Sequence, residues 1–183
     1  MKIYLAGPDV FLPEPLKAAK AKQDICAKYG FEGLFPFDQE LDFSTLSLFE
    51  AGMAIYRSNV ILMDRCDLIV ANMTPFRGPS MDVGTAFEMG YMAAKGKPVF
   101  GYSNEGRLYV DRVPAVTPGW DQQGQSIEPF EMHDNLMLEG SIYTSNGAFQ
   151  CDSIDPESYY TELKVFAAVV QIAAARLLKS KAN

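Results

Sequence analysis

Two carboxylates, Asp82 and Glu88, are the residues of this sequence whose types and spacing best suit chemistry. Asp82 follows a turn-rich loop and stands where a helix N-cap is expected, because its side-chain oxygens can accept the free amide protons of the first turn. Glu88 is the only charged residue between Val83 and Ala94. A helix that is apolar nearly all round is normally buried, so we expect Glu88 in a low-dielectric site, where a carboxylate must be paired or protonated. Such carboxylates are found mostly at functional sites, although Glu88 could instead point to solvent or cap a neighbouring loop.

The composition limits the function classes that are open to this chain. Its 183 residues, 48% apolar and 21% charged, predict one soluble globular domain over residues 1–183. The net charge of -7 argues against nucleic acid or an anionic membrane as a partner, because both need a basic surface. With three widely spaced cysteines and His133 as the only histidine, no metal site is expected. The absence of a signal-like or membrane-spanning stretch predicts a cytoplasmic protein.

Short apolar runs alternate with helical patterns through more than half of the chain. We predict strands at residues 2–6, 31–35, 66–73 and 98–102, and helices at residues 16–28, 46–65 and directly after Asp82. The irregular residues 103–135 predict a lid or an interface loop, followed by a strand-like run near Ile142-Tyr143 and a helix from Tyr159 to Ser180. This order predicts an α/β fold, with a flavodoxin-like doubly wound parallel sheet between two helical layers, in a three-layer α/β/α arrangement.

In such a fold, ligands bind at the carboxyl ends of the strands. Several candidate polar groups come directly after the predicted strands: Tyr4 with the Gly7-Pro8 turn, residues 38–40, and the loop 74–82. Because these ends meet at one edge of the sheet, their convergence favours a functional role for Glu88.

Several motifs together resemble the nucleoside 2-deoxyribosyltransferase family. They are KIYLAGP with Phe11, the PFDQE loop, CDLIVANMTPFRGPSMDVGTAFEMGYMAAKGKPV and NLM, and they cover residues 1–143. The most specific part is D-x-G-x-x-x-E before a helix of small residues, together with Tyr4. The resemblance implies that Glu88 attacks the anomeric carbon of a nucleoside and forms a glycosyl ester, as in a retaining glycosidase. It also implies that Tyr4 orients Glu88 and that Asp82 protonates the leaving nucleobase, with a simple helix cap as the alternative for Asp82.

The resemblance further implies a set of substrate-binding residues: Gly7, Phe11, Glu40, Asn59, Asn135 and Met137. Glu40 stands where the family has a glutamine, and Asn59 where some members have an aspartate. Asn135 and Met137 match residues that reach into a neighbouring subunit's site, which implies a homo-oligomer, a dimer or a multiple of dimers, with shared active sites. Their alternative is an ordinary strand with an adjacent polar turn.

The resemblance therefore implies a cytoplasmic transferase that moves 2-deoxyribose between nucleobases without a cofactor. Its expected partners are deoxynucleosides and free nucleobases, with no nucleic acid and no membrane. One alternative is a hydrolase of the same fold that cleaves 2'-deoxynucleoside 5'-monophosphates, and another is a non-catalytic flavodoxin-like nucleotide-binding module. In the related hydrolases the position of Asp82 resembles a serine, and an ionised carboxylate there would repel a phosphate. Free deoxynucleosides are therefore the expected substrates.

Overall fold

The computed structural model describes residues 1–36 and 42–178, which form an α/β fold around a parallel sheet. In chain order its elements are β1 (Lys2–Ala6), α1 (Pro15–Lys28), β2 (Glu32–Leu34), α2 (Leu48–Arg65), β3 (Leu68–Asn72), α3 (Val83–Ala94), β4 (Val99–Ser103), α4 (Tyr109–Arg112), β5 (Ala115–Thr117), β6 (Trp120–Asp121), α5 (Leu136–Thr144), β7 (Phe149–Cys151) and α6 (Lys164–Leu177). The four strands predicted before residue 103 are confirmed, with shifts of one or two residues at their ends.

The main sheet has the strand order β2-β1-β3-β4-β7, and every neighbouring pair is parallel. β3 lies in the middle of the sheet and all five of its residues are buried, as a continuous apolar strand covered on both faces should be. This order is that of flavodoxin-like folds, in which the chain reverses its direction of winding beside β1 and β3. The predicted fold class is therefore confirmed.

Helices cover both faces of the sheet and complete three layers. On one face, α1 and α6 pack together over a cluster that includes Cys26, Phe100 and Phe166. On the other face, α2, α3 and α5 bury Met63, Met89 and other side chains against the strands. Tyr4 belongs to this second cluster, so its ring points toward α3. Within the described residues, no helix is long and apolar enough to cross a membrane.

The strand predicted near Ile142-Tyr143 is wrong, because these residues belong to a helix. Leu136–Thr144 is the helix α5, whose N-cap is Asn135, and the strand β7 follows only at residue 149. β-branched and aromatic residues at the end of α5 produced the strand-like pattern, but Ile142 is fully buried in the α2, α3 and α5 layer.

The last helix begins later than predicted, at Lys164 instead of Tyr159. The side-chain amide of Asn104 donates to the backbone oxygens of Tyr159 (2.7 Å) and Glu162 (3.0 Å), and the Tyr159 hydroxyl donates to Glu105 (2.7 Å). These bonds hold residues 159–161 in a turn and keep the segment before Lys164 out of the helix. The predicted end of the helix, at Ser180, lies outside the described residues.

The helix α3 is less buried than its apolar sequence predicts. Thr85, Met89 and Met92 are buried, whereas Val83 is 85% exposed and Phe87 is 52% exposed. The helix therefore packs one face on the sheet and turns an apolar face outward. Glu88 lies between the two faces and is half-buried.

Candidate active site

Tyr4 and Glu88 meet at the interface between β1 and α3. Tyr4 is fully buried, and its hydroxyl donates a hydrogen bond of 2.5 Å to Oε1 of Glu88. The partners are 84 residues apart in the sequence, and the packing of α3 on the parallel sheet brings them together. The other carboxylate oxygen of Glu88, Oε2, takes no part in this hydrogen bond.

The surroundings of Glu88 favour its protonated form. Burial raises the pKa of Glu88 to about 7, the hydrogen bond from Tyr4 lowers it, and the negative charge of Asp82 raises it. Burial, followed by the charge of Glu88, also holds the pKa of Tyr4 well above its usual range, so Tyr4 is a neutral donor at physiological pH. A carboxylate that ionises near neutral pH can act as a nucleophile or as a base.

Asp82 caps the helix that carries Glu88. Its Oδ2 accepts hydrogen bonds from the backbone amide of Thr85 (2.9 Å) and from the Thr85 hydroxyl (3.0 Å). The predicted cap is therefore present, and it uses only one of the two carboxylate oxygens. The negative charge of Asp82 also raises the pKa of Glu88, so the residue that caps α3 acts on the carboxyl group farther along the same helix.

Gly7 forms the turn after β1 because no side chain fits there. A Cβ atom on Gly7 would lie 2.4 Å from Oδ2 of Asp9 and 2.7 Å from Cβ of Asn72. Asp9 is itself buried, and its Oδ1 lies 2.6 Å from Nζ of Lys22 on α1 in an ion pair. This close packing fixes the path of the chain from β1 toward Phe11.

Phe11 contributes to an aromatic surface beside the turn. Its ring is 56% exposed and stacks on Phe76, with centroids 5.3 Å apart and an angle of 11° between the planes. The guanidinium of Arg77 lies 5.0 Å from the Phe11 centroid and 4.6 Å from the Phe76 centroid. Arg77 has a φ of 58°, a left-handed conformation that is uncommon for a residue other than glycine. Phe76 was not predicted as a site residue, although its place beside Arg77 in the loop after β3 was a usable signal.

The other predicted binding residues lie in different environments. Asn59 is half-buried on α2, and Glu40 lies outside the described residues. Asn135 caps α5 by accepting from the backbone amide of Met137 (3.1 Å), while its side-chain amide donates to Glu128 (2.6 Å). Met137, in the first turn of α5, is 71% exposed. The strand alternative for Asn135 and Met137 is therefore wrong.

Asp134, which was not predicted from the sequence, directly precedes Asn135 and is 1% exposed. It accepts hydrogen bonds from residues of the loop before α3. No local pattern marks it, because its partners are distant in the sequence. Across residues 1–36 and 42–178, no group of three or more His, Cys, Asp or Glu side chains is arranged to hold a metal ion.

The part of the chain that contains Tyr4, Asp82 and Glu88 matches a known protein family. The family model described as nucleoside 2-deoxyribosyltransferase matches residues 3–137. The chain belongs to this family. The matched range contains Tyr4, Asp82 and Glu88 as well as Asn135 and Met137.

Three proteins resemble nearly the whole chain in sequence or in structure. An uncharacterised protein of Schizosaccharomyces pombe is 33% identical over 91% of this chain and 88% of its own length. The structure of a 2-desoxiribosyltransferase from Leishmania mexicana is 29% identical, with a TM-score of 0.65 over 93% of this chain and 97% of the other. A conserved protein from Enterococcus faecalis V583 shares the fold, at 19% identity and a TM-score of 0.52 over 94% of this chain and 98% of the other. Family membership and the Leishmania mexicana structure support a deoxyribosyltransferase-type function.

Proposed function

We propose that this protein transfers 2-deoxyribose between nucleobases by double displacement, with Glu88 as the nucleophile. The observation that carries the proposal is the Tyr4–Glu88 pair, a half-buried carboxylate held by a hydrogen bond of 2.5 Å at the interface of β1 and α3. Burial keeps the carboxylate poorly solvated, and poor solvation raises the energy of the free anion relative to a covalent ester.

In the first half of the reaction, an oxygen of ionised Glu88 attacks C1' of the deoxynucleoside as the bond from C1' to the base nitrogen breaks. The electron pair of that bond leaves with the nucleobase, and the sugar remains as an ester of Glu88. In the second half, a nitrogen of another nucleobase attacks C1', and Glu88 leaves as a carboxylate. Tyr4 holds Oε1 throughout, so Oε2 is the oxygen expected to form the ester.

Asp82 is the proposed acid for the leaving nucleobase. The helix cap uses Oδ2 only, so Oδ1 remains for a substrate. Protonation of a ring nitrogen stabilises the departing base, and a well-placed acid contributes about 10²-fold to 10⁴-fold in rate. In the second half of the reaction the same oxygen accepts the proton that the incoming base loses as it bonds to C1', which restores the acid for the next turnover.

The direct test is base exchange followed by chromatography. Deoxyinosine with adenine, and separately thymidine with adenine, should each be assayed for deoxyadenosine. Glu88→Gln should abolish the exchange, whereas Glu157→Gln, a change to an exposed glutamate, should leave it intact. Exchange that survives in Glu88→Gln would rule out this nucleophile, and binding of nucleosides without any turnover would favour a non-catalytic nucleotide-binding module.

Hydrolysis of deoxynucleoside 5'-monophosphates is the second candidate, and Arg77 is the observation that favours it. Its guanidinium stacks over Phe11, a proposed substrate-binding residue, and could pair with a phosphate. The carboxylate of Asp82 opposes this by a few kcal/mol, on the order expected for like charges at an effective dielectric near 20. We therefore expect faster turnover of deoxyinosine than of its 5'-monophosphate. Steady release of free base from the monophosphate, faster than base exchange on the nucleoside, would assign the hydrolase.

The proposal includes a homo-oligomer whose subunits complete one another's sites. Its support is an exposed apolar surface on α2 and α3, where Leu48 is 95% exposed, Phe49 is 78% exposed and Tyr56 lies 6.1 Å from Phe87. Large apolar surfaces of this kind mark protein interfaces. Met137, also exposed, would reach a neighbouring subunit from α5.

Subunit mixing tests the shared site. Glu88→Ala chains and Asn135→Ala chains, each inactive alone, should regain some activity when mixed, because a hybrid oligomer contains one intact site. Exchange of subunits must be verified with differently tagged chains. Verified exchange without recovery would show that each site is built from a single chain.

A further inference from the structure

Asp134 is a buried carboxylate on which two separate segments of the chain converge. Its Oδ1 accepts hydrogen bonds from the Ser80 hydroxyl (2.5 Å) and from the backbone amide of Asn135 (2.8 Å). Its Oδ2 accepts from the backbone amide of Met81 (2.9 Å) and lies 3.6 Å from Nη2 of Arg112. The side chains of Asp134 and Arg112 are 0% and 3% exposed, so this is an internal ion pair.

The partners of Asp134 adjoin the proposed catalytic and binding residues. Ser80 and Met81 directly precede Asp82, so the bonds to Asp134 fix the loop just before the cap of α3. Asn135 directly follows Asp134 and caps α5. One carboxylate therefore ties the start of α3 to the start of α5.

We propose that Asp134 is a positioning residue that holds Asp82 and Asn135 in the relative placement needed for departure of the nucleobase. This inference rests on the proposed function. Asp134 acts through the loop rather than by touching the substrate, because it is buried beneath Ser80 and Met81. In this role, Asp134 keeps the proposed acid, Asp82, aligned with the leaving nucleobase.

The arrangement requires a carboxylate at this position. Three donors converge on the side chain, and an ionised carboxylate offers two acceptor oxygens and no donor. An asparagine has one acceptor oxygen, and its amide group would face a donor: either the Met81 amide or the Ser80–Asn135 pair would lose its acceptor. Asparagine would also leave the buried charge of Arg112 without its counter-ion.

The experiment compares two donors that differ in their need for an acid. Deoxyguanosine requires protonation of its leaving base, whereas N7-methyl-deoxyguanosine already carries a positive charge on the base and leaves without it. Asp134→Asn should lower kcat for deoxyguanosine by about 10-fold or more, because a misaligned acid loses part of the roughly 10²-fold to 10⁴-fold that general acid catalysis contributes, and it should change kcat for the methylated donor far less. Asp111→Asn, a change to an exposed aspartate on α4, is the matched control and should alter neither rate.

A purely structural role predicts another result. Loss of stability alone would lower both rates by the same factor, and an unchanged ratio between the two donors would overturn the proposal. If Asp134→Asn does not fold, Ser80→Ala replaces it, because this change removes one hydrogen bond and leaves the ion pair with Arg112. A smaller shift of the ratio in the same direction is then expected, and no shift would overturn the proposal.

Amide exchange separates this inference from the proposed function. At least one of the two amides of Met81 and Asn135, the one that faces the new amide group, should exchange faster with solvent deuterium in Asp134→Asn than in the wild type, while amides of β3 keep their protection. This result without any transferase activity in the wild type would reject the proposed function and keep Asp134 as the link between α3 and α5. Unchanged exchange at both amides would reject the link itself.

Discussion

Replacement of Glu88 by glutamine should stabilise the protein while it abolishes transfer. Glutamine has nearly the shape of a protonated glutamate and can still accept the hydrogen bond from Tyr4, but it cannot ionise. Burial raises the pKa of Glu88 from 4.5 to about 7, so the folded protein disfavours the charged form that the proposed mechanism requires. Under the proposed function, the protein therefore loses stability by keeping an ionisable carboxylate at this position.

The magnitude follows from the shift in pKa, at 1.36 kcal/mol per unit. The folded pKa of Glu88 lies above the unfolded one, so the folded protein binds more protons between about pH 4.5 and 7, and stability from this group falls as the pH rises through that window. Glu88→Gln should therefore gain up to about 3 kcal/mol at pH 8 and less than about 0.5 kcal/mol at pH 4.5. Water that reaches the half-buried carboxyl reduces the gain, so 3 kcal/mol is roughly its upper bound. For a chain of this size, the full gain would raise Tm by about 6–12 °C.

Urea unfolding at pH 4.5 and pH 8 measures the effect directly. The difference in unfolding free energy between Glu88→Gln and wild type should grow with pH, while Glu157→Gln, at an exposed position, should show no such growth. Equal stability of Glu88→Gln and wild type at pH 8 would refute the reasoning, because the buried charge would then cost nothing. A gain of the same size at both pH values would also refute it.

Three further changes test other parts of the site. Tyr4→Phe removes the hydrogen bond that lowers the pKa of Glu88, so the rise of kcat/KM with pH should move above pH 7 and kcat should fall about 10-fold or more; an unmoved profile would contradict the orienting role. Lys22→Met leaves Asp9 buried without its counter-ion and should cost about 3–5 kcal/mol in urea unfolding, and a loss below about 1 kcal/mol would show that water or another group compensates the charge. Gly7→Ala should impair both stability and transfer, because the added carbon collides with Asp9; wild-type values in both assays would disprove the close packing.

Most of the fold could be predicted from the sequence because its central elements have strong local signals. β3 is a short continuous apolar run, and α3 begins at Val83, directly after the good N-cap Asp82. The region from Asn135 to Cys151 could not be predicted, because Ile142 and Tyr143 favour strands locally and only their packing decides for a helix. A strand of three residues such as β7 carries too few positions for a pattern.

The candidate site was predictable only where a motif or a resemblance marked it. Nothing local shows which way the ring of Tyr4 points, and its pairing with Glu88 came from the resemblance to the deoxyribosyltransferases. Asp134 could not be found, because its bond to Met81 spans 53 residues and no spacing rule connects them. The exposed face of α3 was also missed, since an apolar sequence does not distinguish the core from a face left open for a partner.

The distance along the chain between Tyr4 and Glu88 has a consequence for folding kinetics. Their contact closes a loop of 84 residues. The pairing of β1 with β3 likewise encloses α1, β2 and α2, which must fold compactly between the two strands. Contacts between residues this far apart in the sequence form slowly, because closing the loop costs conformational entropy before the contact contributes to the stability of the fold. After dilution from urea, we expect helical circular dichroism to recover early and transferase turnover to recover last, together with burial of the Tyr4 ring. Enzyme activity would thus report when α3 has docked against β1.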